Sequence, residues 1–111
     1  MRYLADSARE VGATSKFIIE AGYLDEAEKV RICEIANRVG PDYLKTSTGY
    51  GPTGATVADV QLMRSVLRSE IHIKAAGGIR SYPQALSMLE AGASRIGTSS
   101  GVAILEELRK L

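Results

Sequence analysis

Ile71-His72-Ile73-Lys74-Ala75-Ala76-Gly77-Gly78-Ile79-Arg80, residues 71–80, decides the fold. Apolar side chains alternate with His72 and Lys74, the period of a strand that has one covered face. Ala76-Gly77-Gly78 then breaks the strand with a turn. Ser81 follows as an N-cap, and Ala85, Leu86, Met88 and Leu89 lie at helical spacing before Gly92 ends the helix. The same strand–loop–helix unit recurs upstream. Asp42-Tyr43-Leu44-Lys45-Thr46 is a strand, residues 49–54 a Gly-rich loop, and Thr56 with Asp59 a capping pair. The helix behind that pair carries the stripe Val57, Val60, Met63, Val66, Leu67. Earlier still, Lys16-Phe17-Ile18-Ile19-Glu20 reads as a strand, and Asp25 with Glu28 has capping-box spacing. That helix carries Val30, Cys33, Ile35, Ala36 and Val39, and Gly40-Pro41 stops it. Downstream, Ser94-Arg95-Ile96-Gly97 is the last strand, and Ser99-Ser100-Gly101 leads into a helix to about Leu108. Residues 2–11 read as a leading helix ended by Gly12.

Strands starting at 16, 42, 71 and 94 and alternating with helices predict right-handed βαβ crossovers and a parallel sheet. The expected fold is α/β, a (βα)4 half of a TIM-type (β/α)8 barrel. It forms a single domain over residues 1–111, the leading helix plus four βα units. A closed barrel takes about 250 residues, and this chain has 111. Alternation turns Phe17, Ile19, Leu44, Ile71 and Ile73 toward the helices. It turns Lys16, Ile18, Glu20, Tyr43, Lys45, His72 and Lys74 to a face that four helices leave bare. Two exposed strand edges and that bare face predict completion by a second copy, as a homodimer, or by a complementary half-barrel chain. A flavodoxin-like sheet with helices on both faces is the competing monomeric solution.

Composition narrows the function. Apolar residues are 45%, charged residues 24% and the formal net charge is +1, which gives no electrostatic case for nucleic acid or a membrane surface as partner. No apolar run approaches the about 18 residues of a membrane span. The charged N-terminal segment does not read as a signal peptide. Cys33 is the single cysteine and His72 the single histidine, so no intrachain disulfide and no metal-ligand spacing exist. These features fit a cytoplasmic protein with no metal or other cofactor.

Lys45 and Lys74 each stand in an apolar strand that a Gly-rich turn follows, at the carboxyl end where α/β folds carry their chemistry. A lysine in such a strand either snorkels to solvent or serves a reaction. Two neighbouring amines repel, which favours the neutral form of one, and a neutral amine attacks a carbonyl to form a Schiff base. Gly77 and Gly78 can be plain turn residues or let backbone N–H groups approach an anion. Ser99 and Ser100 stand where a helix N-terminus favours negative charge, a position that capping and phosphate binding both use. His72 reads as a packed core histidine, Cys33 as a buried small hydrophobe and Tyr23 as a packing residue.

Phe17-Ile18-Ile19-Glu20-Ala21-Gly22-Tyr23-Leu24, Tyr43-Leu44-Lys45-Thr46-Ser47-Thr48-Gly49-Tyr50-Gly51, Ile73-Lys74-Ala75-Ala76-Gly77-Gly78-Ile79-Arg80 and Arg95-Ile96-Gly97-Thr98-Ser99-Ser100, in this order, resemble deoxyribose-phosphate aldolase, over residues 11 to 105. The resemblance is to the C-terminal half of that barrel. It implies class I retro-aldol cleavage of 2-deoxyribose 5-phosphate to glyceraldehyde 3-phosphate and acetaldehyde, without metal, on a small phosphorylated sugar or aldehyde substrate. It implies that Lys45 is the Schiff-base lysine and Lys74 the second lysine that lowers its pKa. It implies that Gly77, Gly78, Gly97, Ser99 and Ser100 hold the substrate phosphate. Two departures stand out. The aspartate of the family's proton relay belongs to the half absent here, and Tyr50 stands where some members have a phosphate-binding lysine. A non-catalytic phosphate-binding half-barrel is the competing reading.

Overall fold

Four parallel strands form one sheet in the order β1 (Lys16–Ile18), β2 (Tyr43–Lys45), β3 (His72–Ala76) and β4 (Arg95–Gly97). The computed structural model describes residues 16–47 and 54–110. The leading helix read over residues 2–11 and all of the 49–54 loop except Gly54 lie outside them. Each strand neighbours the next in chain order, so the winding never reverses. A flavodoxin-like sheet needs a reversal of strand order, and this topology excludes it. The fold is the α/β half-barrel.

Helices α1 (Glu26–Val39), α2 (Val57–Val66), α3 (Tyr82–Ala91) and α4 (Gly101–Arg109) follow the strands, and each packs on the next. Three begin where their caps predict. Asp25 and Glu28 form a complete capping box, Thr56 accepts from the Asp59 N–H, and Ser81 accepts from the Gln84 N–H. Gly40 ends α1 in the left-handed conformation, φ 73°.

The core lies between helices and sheet. Leu44, Ile73 and Ala75 from the strands and Ile71 just before β3 meet Cys33, Ala36, Val60, Met63, Ala85 and Met88 from the helices. Phe17 and Ile19 join them, as alternation predicts. Ile35, Leu86 and Leu89, read as part of the apolar stripes, are instead exposed on the outer helix surfaces. Tyr23 is 69% exposed and does not pack. Polar ties fix the helices. Lys29 Nζ donates to Asp59 Oδ1 at 2.6 Å from α1 to α2. Asn37 donates to the Val66 carbonyl and accepts from the Arg68 N–H. Among the described residues the opposite face of the sheet carries no helix, and Lys16, Ile18, His72 and Arg95 on it are exposed.

Candidate functional site

Register brings the two lysines together. Lys45 pairs with Lys74 across β2 and β3, and Lys74 pairs with Arg95 across β3 and β4. Paired residues on neighbouring strands lie roughly 5 Å apart and point to the same face. The row below, toward the amino ends, is Lys16, Tyr43 and His72. Alternation therefore collects Lys16, Lys45, Lys74 and Arg95 on the open face. Glu20, which alternation would add, follows the end of β1 with a left-handed backbone (φ 50°), so strand periodicity does not carry to it.

Among the described residues the charges acting on Lys74 are positive. Burial first, then the charge of Lys16 and a hydrogen bond with it, then Lys45 and Arg95, hold the Lys74 amine below the ordinary lysine value of 10.5. The resemblance gave Lys74 the part of the second lysine beside Lys45, and the two are register partners.

Lys16, Tyr43, Lys74 and Arg95 line a hollow of about 190 Å3. The Tyr43 and His72 rings lie 5.3 Å apart, and the Arg95 guanidinium sits 4.7 Å from the Tyr43 ring centroid. His72 is thus exposed, tilted against Tyr43 on the open face, and not in a core as the sequence suggested. A β-carbon on Gly97 would come 3.0 Å from Lys74 Cε and 3.7 Å from its Nζ. The lysine chain therefore runs past Gly97, toward the carboxyl ends of the strands.

The loops beyond those ends are tied to one another. Thr46, fully buried, exchanges hydrogen bonds with both backbone groups of Ala76, and the Ser47 hydroxyl donates to the Ala76 carbonyl. Gly77 and Gly78 both have positive φ, 93° and 74°, which favours glycine. The Ala55 N–H donates to the Gly77 carbonyl at 3.0 Å. Thr98 Oγ1 donates to the Ile79 carbonyl and accepts from the Ser100 N–H, joining the loop after β3 to the loop after β4. Ser99 is exposed. Ser100 sits at the N-cap of α4, and its side chain makes no cap hydrogen bond. A β-carbon on Gly78 or Gly101 would meet nothing within 4 Å. Gly77, Gly78, Ser99 and Ser100 thus belong to two linked loops at the carboxyl end, and Gly97 lies beneath them against Lys74.

Lys16, Tyr43, Arg95, Thr98 and Gly54 entered no sequence-level site. Lys16 and Arg95 were detectable only through register, which says which strands neighbour. Thr98 stands inside the quoted Gly97–Ser100 run, and its two-loop bridge is a tertiary fact. Cys33 is buried, and its thiol is raised to about 11 by burial and then by Glu34. Among the described residues no group of three His, Cys, Asp or Glu side chains could hold a metal. Among the same residues no helix is long and apolar enough to cross a membrane.

No family model matches the chain. A curated deoxyribose-phosphate aldolase of Thermococcus gammatolerans is 61% identical over 102 residues, which is 92% of this chain and 45% of that protein. The one of Thermococcus kodakarensis is 63% identical over 99 residues, 89% of this chain and 44% of that protein. The solved tetrameric deoxyribose phosphate aldolase of Aeropyrum pernix superposes with a TM-score of 0.87 at 35% identity, covering 97% of this chain and 47% of its own. The chain spans about half the length of the curated relatives it matches.

Proposed function

We infer, for a chain that belongs to the deoxyribose-phosphate aldolase family and is consistent with its C-terminal half, that Lys45 forms a Schiff base with an aldehyde and Lys74 handles its proton. The observation carrying this reading is the Lys45–Lys74 register pair on the open face, with Lys74 held toward its neutral form. A neutral Lys74 amine can take the proton of the Lys45 ammonium. The freed Lys45 amine adds to the carbonyl carbon of 2-deoxyribose 5-phosphate, and loss of water leaves an iminium. The bond between carbons 2 and 3 then breaks. Its electron pair moves toward the iminium nitrogen to make an enamine, while the carbon-3 hydroxyl gives up its proton and becomes the aldehyde of glyceraldehyde 3-phosphate. The enamine takes a proton at carbon 2, and water releases acetaldehyde and the Lys45 amine.

Gly77, Gly78, Ser99 and Ser100 are the proposed phosphate loops, with Gly97 beneath them. Support comes from the left-handed glycines, from the start of α4 beside them, and from the Thr98 tie that holds the two loops together. A homodimer or a complementary half-barrel chain is proposed to cover the open face.

The two linked loops at the carboxyl ends also support a second reading, a phosphate-binding half-barrel without turnover. Acetaldehyde with cyanoborohydride, followed by peptide mass mapping, tests the first. A two-carbon adduct at Lys45 that Lys45→Met abolishes supports imine chemistry. A folded chain left unmodified at Lys45 sinks it. Retro-aldol turnover assayed beside phosphate protection against thermal unfolding separates the two readings, because protection without turnover selects the module.

A further inference from the structure

Arg95 starts on β4 as the register partner of Lys74, yet its guanidinium lies over the ring of Tyr43 on β2. To get there it crosses β3 on the open face, on the amino-end side of Lys74, since Tyr43 pairs with His72 two residues before Lys74. The tilted contact of Tyr43 with His72, centroids 5.3 Å apart, supports the ring it rests on. A cation held against an aromatic face is attracted by the ring quadrupole, so the contact favours one guanidinium position over the many open to a free arginine. Lys74 then has a fixed positive charge below it and an open lane above it, because Gly97 offers no β-carbon where Cε passes.

We propose that Arg95 is a positioning residue: clamped across Tyr43, it closes the lower side of the hollow and directs the Lys74 amine past Gly97 toward the carboxyl end, beside Lys45. Among the described residues the charged and titratable groups on the face of Lys74 are Lys16 from β1, Lys45 and Tyr43 from β2, His72 from β3 and Arg95 itself from β4. Arg95 is the one of these cations anchored by a ring. The proposal rests on the reading that Lys74 serves Lys45 in imine formation, and its test is chosen to fail separately from that reading.

Reductive 13C-methylation of the lysines and NMR titration gives the Lys74 midpoint directly, with Lys74→Arg assigning the resonance and no turnover required. Arg95→Met removes a positive charge that holds the Lys74 amine down, so the midpoint rises. Arg95→Lys keeps the charge and stays within about a third of that shift. Tyr43→Leu keeps the guanidinium but frees it, and gives an intermediate rise; it also serves should Arg95→Met fail to fold. The pH profile of acetaldehyde trapping at Lys45 moves in the same direction in each variant. A Lys74 midpoint unchanged in folded Arg95→Met, or equal in Arg95→Lys and Arg95→Met, overturns the proposal. Absence of any Lys45 adduct in the parent protein, with the Arg95→Met shift present, overturns imine chemistry instead and leaves the positioning role standing.

Discussion

Gly54→Ala is expected to damage both the fold and the proposed phosphate loops. A β-carbon on residue 54 would stand 2.2 Å from the Gly77 carbonyl oxygen, 2.5 Å from its carbon and 3.1 Å from the Gly78 nitrogen. All three are backbone atoms, so no side chain can swing aside. Restoring ordinary carbon–oxygen contact requires about 1 Å of backbone movement, and overpacking of this kind costs about 1–3 kcal/mol. The same movement pulls the neighbouring Ala55 N–H off the Gly77 carbonyl, a 3.0 Å hydrogen bond worth about 1 kcal/mol. Together these give a loss of about 2–4 kcal/mol. For a domain of this size that lowers the thermal midpoint by roughly 10–25 °C. Urea unfolding followed by circular dichroism, at one fixed protein concentration, measures it. Phosphate protection should weaken as well, since Gly77 and Gly78 move. Gly101→Ala is the matched control: a β-carbon there meets nothing, and the change should be neutral or stabilise by up to about 1 kcal/mol. Should Gly54→Ala unfold at the parental urea concentration, residue 54 does not close on the Gly77 carbonyl.

Further outcomes are expected. Thr98→Val removes the hydroxyl that bonds Ile79 and Ser100; it should cost about 1–2 kcal/mol and reduce phosphate protection, whereas Thr98→Ser should retain most of both. Lys74, with its amine lowered below 10.5 in the fold, contributes stability that is present above that value and lost as pH falls through the lower folded value. Lys74→Met should therefore stabilise the protein more at neutral pH than near pH 10.5, and equal gains at both would contradict the electrostatic pressure described. Cys33, raised from 9.0 to about 11 by burial and Glu34, should resist alkylation at pH 8 until urea unfolds the chain; its stability contribution is present below pH 9 and lost as pH rises through 11. Lys29→Met should cost about 1–2 kcal/mol. Asp59→Asn should cost more, because it strands Lys29 and removes the anion in the first turn of α2. A double-mutant cycle showing the two changes additive would deny their coupling.

Much of the chain was legible because its signals are local. Asp25, Thr56 and Ser81 announced helix starts since a cap is made with a backbone N–H three residues away. The alternation around Leu44 and Ile73 named the covered face since side chains on a strand change sides at every residue. The pair Lys45 and Lys74 stood out because charge inside an apolar strand is costly. Local signals failed where solvent exposure depends on what covers an element. Ile35, Leu86 and Leu89 fit apolar stripes yet lie outside, and His72 looked like a core residue yet lies open.

Periodicity and punctuation alone determined the unit, a strand leading through a glycine turn into a capped helix, and singled out Lys45 and Lys74. Strand order, and with it the neighbours of Lys74, was a decision of the tertiary structure. That Arg95 crosses to Tyr43, that Lys16 reaches Lys74, and that Gly97 is empty so Lys74 can pass are contacts between residues 20 to 60 positions apart. No pattern within one strand encodes them, because a period of two fixes the side a residue faces but not the strand beside it.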